Sequence, residues 1–435
     1  GRMQGAADIS DIDGSSGIEK FSLKSSDTGI YDVNIGGVYK DMKKNELIKV
    51  DAKIDINDPA GLGRALGVDL SRYSAYHTEG VLTGSDDRIS YNSTASVGRT
   101  VSKTEVNGRL VNGKPTFKGK FEIPVLYLAD FGFNPTEYDD GPVKIDPNRQ
   151  VSGDIFSKDP LDLGFLNNFD LDFDVSIEQV ESHHQMSIDS IKGQIRLKDG
   201  DLQVDPLKFF YEGGTMDIVF GLQADTPPAL RLQVIADDLE LGPMMAQVQN
   251  DVPITGYSNI QVDVTASGRS PHEMVSSFGG KIDLGFENAR IPKKYIQFLS
   301  VDVFGWALSK TFMRDKDKYT DLNCLVATFE ASNGKLNSTV LIADGPNVSL
   351  GGSIKLNLPR ETMKIVLLPK QKRKLFSSIS PVKISGPMRD PRVEALPTKA
   401  AIQEIGAMAL VPYVYVPLKL LSSLWSVVDD GDETG

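Results

Sequence analysis

The chain of 435 residues is long enough for a substantial core, and its 40% hydrophobic and 24% charged residues are ordinary for a folded protein. The formal net charge of −12 argues against a nucleic-acid partner, because phosphate binding needs a concentrated basic surface. A single cysteine, Cys324, excludes an internal disulfide framework and any metal site built from several thiolates. Residues 1–17 contain no apolar run, so we expect no signal peptide in this sequence.

Near the start of the chain, one strand and one helix are clearly marked. Apolar residues occupy every second position from Ile48 to Ile56, which predicts a strand. Asp58 and Pro59 follow it, and an N-capping side chain followed by proline is a helix-entry signal. The pattern therefore predicts a short helix that ends at Gly67. A second helix start is predicted further on, where Ser270 and Glu273 have capping-box spacing and Pro271 occupies the first helical position.

The stretch from residue 154 to 286 consists of short alternating strands separated by turn residues. In one of them Leu171, Phe173 and Val175 alternate with Asp172 and Asp174. A period of two gives each strand one apolar and one polar face. Repeated over many strands, this pattern predicts a mainly β fold with a large antiparallel sheet and a continuous apolar side.

The remaining chain organisation follows from changes in composition and period. Residues 138–148 are rich in proline, glycine and aspartate, and they mark the predicted boundary between an N-terminal β segment (1–150) and a second domain (151–435). Within the second domain, a broad apolar face over residues 291–313 predicts a helix, and two apolar helical stretches are predicted within 398–428.

The last apolar run raises the question of a membrane span. Residues 405–428 are long enough to cross a bilayer, which needs roughly 20 residues. Pro412, Pro417 and Lys419 interrupt the run, and a lysine near the centre costs about 3 kcal/mol. A helix that docks on the end of the sheet or lies on a membrane surface is therefore the preferred interpretation.

A short basic run suggests a membrane contact. Lys370, Lys372, Arg373 and Lys374 precede an apolar pair, and anionic headgroups contribute about 1 kcal/mol for each basic residue near a bilayer. Together with Trp425 they are candidate membrane-contact residues. A solvated loop explains the same charges, and both readings stay open.

No group of residues indicates catalysis. The four histidines lack metal-binding spacing, and no nucleophile motif or phosphate-binding loop is present. Asp11, Asp13 and Gly14 resemble part of a calcium loop, but Ile9 and Lys20 occupy the positions of its anchoring ligands. We predict that the protein is not an enzyme and has no catalytic residue, no metal site and no cofactor.

A series of short motifs follows a recognisable order. They are Asp154-Ile-Phe-Ser-Lys-Asp-Pro-Leu-Asp-Leu, Leu197-Lys-Asp-Gly-Asp-Leu-Gln-Val-Asp-Pro-Leu, Tyr211-Glu-Gly-Gly-Thr, Gly268-Arg-Ser-Pro-His-Glu-Met, Phe278-Gly-Gly-Lys-Ile, Asn323-Cys-Leu-Val-Ala-Thr-Phe, Ser380-Pro-Val-Lys-Ile-Ser-Gly-Pro and Arg389-Asp-Pro. In this order they resemble the C-terminal domain of the bacterial AsmA-like family, over residues 151–410. The first 150 residues look like the preceding, more variable part of that family.

The resemblance implies a fold and a role. Such proteins are similar to bridge-like lipid transfer proteins, in which a long, curved, taco-like β-sheet forms a groove with an apolar concave side. They are anchored in the inner membrane by an N-terminal helix, project into the periplasm and support outer-membrane lipid homeostasis. This sequence lacks such a helix, so the tether is expected in a longer precursor.

We therefore expect a lipid-binding groove with phospholipids, a membrane surface and envelope proteins as partners. An ordinary core capped by the predicted helices is the alternative for the fold. A scaffold that assists outer-membrane protein assembly through exposed sheet edges is the alternative for the function. The expected groove lining is Phe173, Val175, Ile195, Leu197, Leu202, Val204, Ile218, Phe220, Leu232, Val234, Val262, Leu284 and Phe286.

Overall fold

The computed structural model describes most of the chain, and the described residues are mainly β. They are residues 2–12, 15–41, 46–85, 87–132, 155–181, 187–211, 214–240, 255–292, 319–346, 348–372 and 380–406. Long strands with few, short helices confirm the predicted fold class.

The strands follow one another along the chain with short connections. In chain order they are β1 Arg2–Ile12, β2 Ser15–Asp27, β3 Tyr31–Asp41, β4 Glu46–Ile56, β5 Tyr76–Ser85, β6 Arg88–Val97, β7 Thr100–Val111, β8 Lys114–Tyr127, β9 Asp170–Glu181, β10 Ser187–Ile188, β11 Ser190–Lys198, β12 Asp201–Tyr211, β13 Gly214–Gln223, β14 Ala229–Glu240, β15 Thr255–Ser267, β16 Gly279–Pro292, β17 Tyr319–Ser332, β18 Lys335–Asp344, β19 Val348–Asn357, β20 Thr362–Gln371, β21 Val382–Pro387 and β22 Arg392–Ala395. The helices are α1 Pro59–Leu66, α2 Pro271–Ser277 and α3 Thr398–Ile405, with single 3₁₀ turns at Leu128–Phe131 and Gly164–Asn167.

The chain packs as two compact units. Unit 1 comprises Gly1–Asp140, Asp159–Pro253 and Gln261–Met274. Its strands β1 to β8 pair with their chain neighbours in antiparallel fashion, β8 and β9 are parallel, and antiparallel pairing resumes from β9 through β11 to β14. The parallel pair needs a long connection, which the chain supplies between β8 and β9.

Unit 2 comprises Gly141–Lys158, Ile254–Ile260 and Val275–Gly435. Its strands β16 to β22 are antiparallel, each paired with its neighbour in the chain. Strand β15 contributes residues to both units, because Ile254–Ile260 is assigned to unit 2 and Gln261–Met274 to unit 1.

Tight hairpins explain why neighbours in the chain pair so regularly. Both residues of a two-residue loop have positive φ at Asn112-Gly113, Asp199-Gly200 and Asn333-Gly334. This conformation favours asparagine, aspartate and glycine, and its twist matches that of the flanking strands. Each such loop fixes the register of its hairpin and thereby which side chains share a face.

The predicted helix signals are confirmed for α1 and α2. The Asp58 carboxylate accepts a hydrogen bond of 2.8 Å from the backbone N–H of Gly61, and Gly67 ends the helix with a φ of 74°. At α2, the Ser270 hydroxyl accepts from the Glu273 N–H at 3.2 Å, which is the capping bond expected from this spacing.

Three predictions fall largely beyond the described residues. The domain boundary at 138–148 is one of them, so the division at residue 150 stays a prediction. The helix over 291–313 is another, although residues 291 and 292 are the end of β16. Of the C-terminal helical stretches, α3 is described and residues 407–428 are not. Among the described helices, none is long and apolar enough to cross a membrane.

Candidate functional site: the apolar sheet faces

In unit 1, rows of paired apolar residues cross the strands from β9 to β14. Residues directly opposite each other in neighbouring strands point to the same face of a sheet. One row is Phe173, Ile195, Val204, Phe220 and Leu232, and the next is Leu171, Leu197, Leu202, Leu222 and Leu230. Ile218 pairs with Val234 beside them. The register therefore gathers the expected lining residues of these strands on one face.

The same face continues toward the start of the chain. Val175 pairs with Phe121, and Phe121 pairs with Thr104. The row then runs through Ser93, Gly80, Ala52, Ile35 and Leu23. None of these β2–β8 residues was expected to line the site. The alternation of apolar and polar residues predicted β4. In β5–β7, by contrast, serine, threonine and glycine occupy many positions of this face, so no alternation of apolar residues could be recognised.

Most of the expected lining is only partly covered by protein. Leu197, with 1% of its surface exposed, is the fully buried member of the set. The others, including Phe173, Phe220 and Val234, have intermediate exposure, as does Val262 in the unit 1 part of β15. Side chains in a closed core would be buried as Leu197 is, so this face is an accessible apolar surface.

Unit 2 has an apolar row of its own. Phe286 pairs with Leu325, Leu325 with Ala343 and Ala343 with Leu350, and these residues pack together. Leu284, the other expected lining residue in this unit, pairs with Ala327 and is partly exposed.

Helix α3 packs on the other face of unit 2. Ala401 and Ile405 bury their side chains against Val366 and Leu368 of β20. Ile365 directly precedes Val366 in β20 and pairs with Ile384 in β21, in a separate cluster. Because successive strand residues point to opposite faces, α3 does not cover the face that carries Ile365 and the row from Phe286 to Leu350.

Two hollows of about 840 Å³ each lie along the strands of unit 1. The first is lined by β2 to β7, with Ile35, Gly80 and Ser93 among its residues. The second is lined by β5 to β8, around Gly84 and Gly108. Charged residues such as Lys53, Glu79 and Lys103 also line the first hollow. A volume of this size is in the range of small-molecule binding sites.

The opposite face of unit 1 is charged and paired. Ion pairs join neighbouring strands at Lys53–Glu79 (3.0 Å), Lys118–Asp172 (2.9 Å), Arg196–Asp205 (2.7 Å) and Lys208–Asp217 (3.2 Å). His77 is also on this face, where its Nδ1 contacts the Asp55 carboxylate. Such exposed ion pairs contribute little to folding stability, but their charged groups are hydrated, so this face is exposed to solvent.

The basic run is described only in part. Lys370 is half-buried, and the Lys372 ammonium lies 2.8 Å from the Asp344 carboxylate. Burial alone would raise the pKa of Asp344, but hydrogen bonds from Lys372, Ser349 and Asn323 outweigh it and lower that pKa. Arg373, Lys374 and Trp425 lie outside the described part of the chain, so the membrane contact stays a prediction.

Within the described ranges, no group of three or more histidine, cysteine, aspartate or glutamate side chains could hold a metal ion. The free Cys324 has an intermediate exposure, and its burial raises the pKa of the thiol. The apolar rows are the candidate site of the described strands.

Taken together, the strands define a class of β-sheet protein with one charged face and one partly open apolar face. The chain belongs to the AsmA family, whose model matches residues 20–341. It is 22% identical over 382 residues to the AsmA family protein YhjG of Escherichia coli (strain K12), an alignment that covers 83% of this chain and 54% of that protein. The chain thus spans about half the length of this curated relative. No solved structure matches.

The family match confirms the resemblance seen in the short motifs. The matched range includes most of the first 150 residues, which the resemblance also assigned to this family. Membership in this family indicates a role connected with envelope lipids or the outer membrane.

Proposed function

We propose that this chain binds phospholipid acyl chains along its apolar sheet face and supports lipid transport between the inner and outer membranes, without catalysis. The observation that carries the proposal is the unbroken set of paired apolar residues from β9 to β14. Their intermediate exposure leaves room for contact with a ligand.

The energetics of lipid extraction require such a surface. Each methylene moved from hydrocarbon to water costs about 0.8 kcal/mol, so an acyl chain of about fifteen methylenes needs about 12 kcal/mol of compensation. A single pocket on one strand cannot provide it. Rows of apolar side chains on successive strands can, while the charged face stays in water.

Adjacent residues of β14 offer a matched test. Val234 pairs with Ile218 on the apolar face, whereas Ile235 pairs with Asp217 and is 49% exposed on the opposite face. Val234→Glu would put a carboxylate against the acyl chain, at a cost of several kcal/mol. We expect at least a tenfold loss of bound phospholipid, measured by native mass spectrometry after incubation with phosphatidylethanolamine vesicles.

Ile235→Glu is the control, because it introduces the same charge into the same strand on the solvated side. It should load phospholipid like the unmodified protein. Equal loading of both variants would count against the face assignment. An unmodified protein that retains no phospholipid would refute the proposed function itself.

The proposal includes a periplasmic location and a tether to the inner membrane through a helix of a longer precursor. AsmA family membership supports this location. Fractionation of cells that express the longer gene product provides the test, with recovery in the cytosolic fraction as the contrary result. Assistance to outer-membrane protein assembly stays the alternative, and a pull-down that recovers assembly proteins but no lipid would favour it.

A further inference from the structure

Several hydroxyl groups lie close together on the apolar face of unit 1, around Gly80. Gly80 pairs with Ser93, and Ser93 pairs with Thr104, so these residues are neighbours on the apolar face. A Cβ placed on Gly80 would lie 2.8 Å from the Tyr91 hydroxyl and 2.9 Å from the Ser93 Cβ. The Tyr91 ring therefore reaches across Gly80, and its hydroxyl lies close to Ser93. We call Gly80, Tyr91, Ser93 and Thr104 the hydroxyl cluster.

The hydroxyls of this cluster differ from their neighbours in being unpaired. Thr78 Oγ1 donates to the Thr94 carbonyl at 3.3 Å, and Ser102 Oγ donates to the Ala95 carbonyl at 3.4 Å. By contrast, the hydroxyls of Tyr91, Ser93 and Thr104 make no hydrogen bond to any described residue. Covering them with hydrocarbon alone would leave these donors unsatisfied, which is unfavourable.

We propose that the hydroxyl cluster binds the polar end of a glycerophospholipid, by donating hydrogen bonds to its ester or phosphate oxygens. This inference rests on the proposed function. The purely apolar rows of β9–β14 suit acyl chains, whereas the cluster offers donors that only an oxygen-bearing part of the ligand can use.

The spacing of the strands fits a phospholipid whose polar end lies at the hydroxyl cluster and whose acyl chain runs across the strands toward β11. One acyl chain spans about 15 Å, half of a bilayer core of about 30 Å. Strands lie about 4.8 Å apart, so the chain covers about three strand spacings. From Thr104 in β7, that distance crosses β8 and β9 and reaches β11, over Phe121 and Val175. The acyl chain thus lies on apolar side chains while its polar end stays at the hydroxyls.

A variant that removes the hydroxyls without changing shape tests the proposal. Tyr91→Phe, Ser93→Ala and Thr104→Val are combined in the full chain. Retention of dioleoyl phosphatidylethanolamine and of hexadecane, an apolar probe without oxygen, is then measured by mass spectrometry of the repurified protein. We expect phospholipid retention to fall about tenfold or more, because several hydrogen bonds are lost, and hexadecane retention to stay unchanged.

The matched control is Thr94→Val with Ser96→Ala, which removes hydroxyls from the opposite face of the same strand. It should retain both probes like the unmodified protein. Unchanged phospholipid retention in the cluster variant would overturn the inference, as would an equal fall for both probes. Failure of the unmodified protein to retain either probe would instead refute the proposed function.

Discussion

We expect that replacement of Asp130 by alanine destabilises one end of unit 1, because this side chain links three segments of the chain there. The carboxylate is 5% exposed and lies in the turn after β8. Its Oδ2 accepts from the backbone N–H groups of Arg99 and Thr100, both at 2.9 Å, and from the Thr100 hydroxyl at 3.0 Å. Its Oδ1 accepts from the Ser74 hydroxyl at 3.2 Å. One side chain thus joins the β6–β7 turn, the start of β5 and the end of β8.

The loss of folding stability depends on which of the former hydrogen-bond donors water can reach in the variant. The Ser74 hydroxyl can rotate, and Arg99 is exposed, so these groups can be rehydrated. Thr100 is 3% exposed, so its N–H would be left buried without a partner. An unsatisfied buried donor costs about 1–3 kcal/mol and the other lost bonds add about 1 kcal/mol, which gives about 3 kcal/mol for Asp130→Ala.

Asp130→Asn should be far milder, at less than about 1 kcal/mol. An amide oxygen at the Oδ2 position still accepts the bonds from Arg99 and Thr100, and the amide N–H₂ at the Oδ1 position can donate to Ser74. Urea unfolding gives the stability of each variant, and hydrogen exchange of residues 97–104 reports the local effect. About 3 kcal/mol corresponds to a loss of protection of roughly a hundredfold. Equal losses for both variants would refute the hydrogen-bond reasoning and point to the charge instead.

Two further outcomes are expected from unit 2. Ile405→Ala should destabilise α3 by about 2–3 kcal/mol, because this side chain is 8% exposed against β20, whereas Ile402→Ala, at 41% exposed, should be near neutral. Hydrogen exchange of α3 measures both, and lipid loading should not change, since α3 packs on the other face. Asp344→Asn should cost about 1–2 kcal/mol at pH 7 through the lost bond to Lys372. The pKa of Asp344 is lowered in the folded protein, so its contribution is present above its ordinary value of 3.8 and lost as the pH falls through the folded value. The thermal midpoints of the variant and the unmodified protein should therefore converge as the pH falls below 3.8, and a difference that stays constant in acid would contradict this.

Local signals in the sequence were sufficient for the strands and the helix caps. The alternation around Phe173 and Phe220 predicts which residues share a face, because strand geometry depends only on neighbouring residues. The capping signals at Asp58 and Ser270 act within one helical turn, and the structure confirms both. The family resemblance added the expectation of an uncovered apolar face, which alternation alone could not decide.

Features that depend on distant parts of the chain were not predictable in this way. The parallel pairing of β8 with β9 joins strands separated by a long connection, and no local pattern encodes it. The apolar segment of α3 predicted burial, but not which face of β20 it would cover. The hydroxyl cluster escaped notice because Tyr91 reaches Gly80 only through the β5–β6 register.

The amino-acid sequence by itself thus determined the alternation that gives each strand an apolar and a charged face, since side-chain direction in a strand is a local property. Only the tertiary structure decided which apolar faces meet, where α3 covers the sheet and where unpaired hydroxyls interrupt the hydrocarbon surface. These outcomes depend on register and on contacts between residues far apart in the chain, because register sets which side chains lie opposite each other.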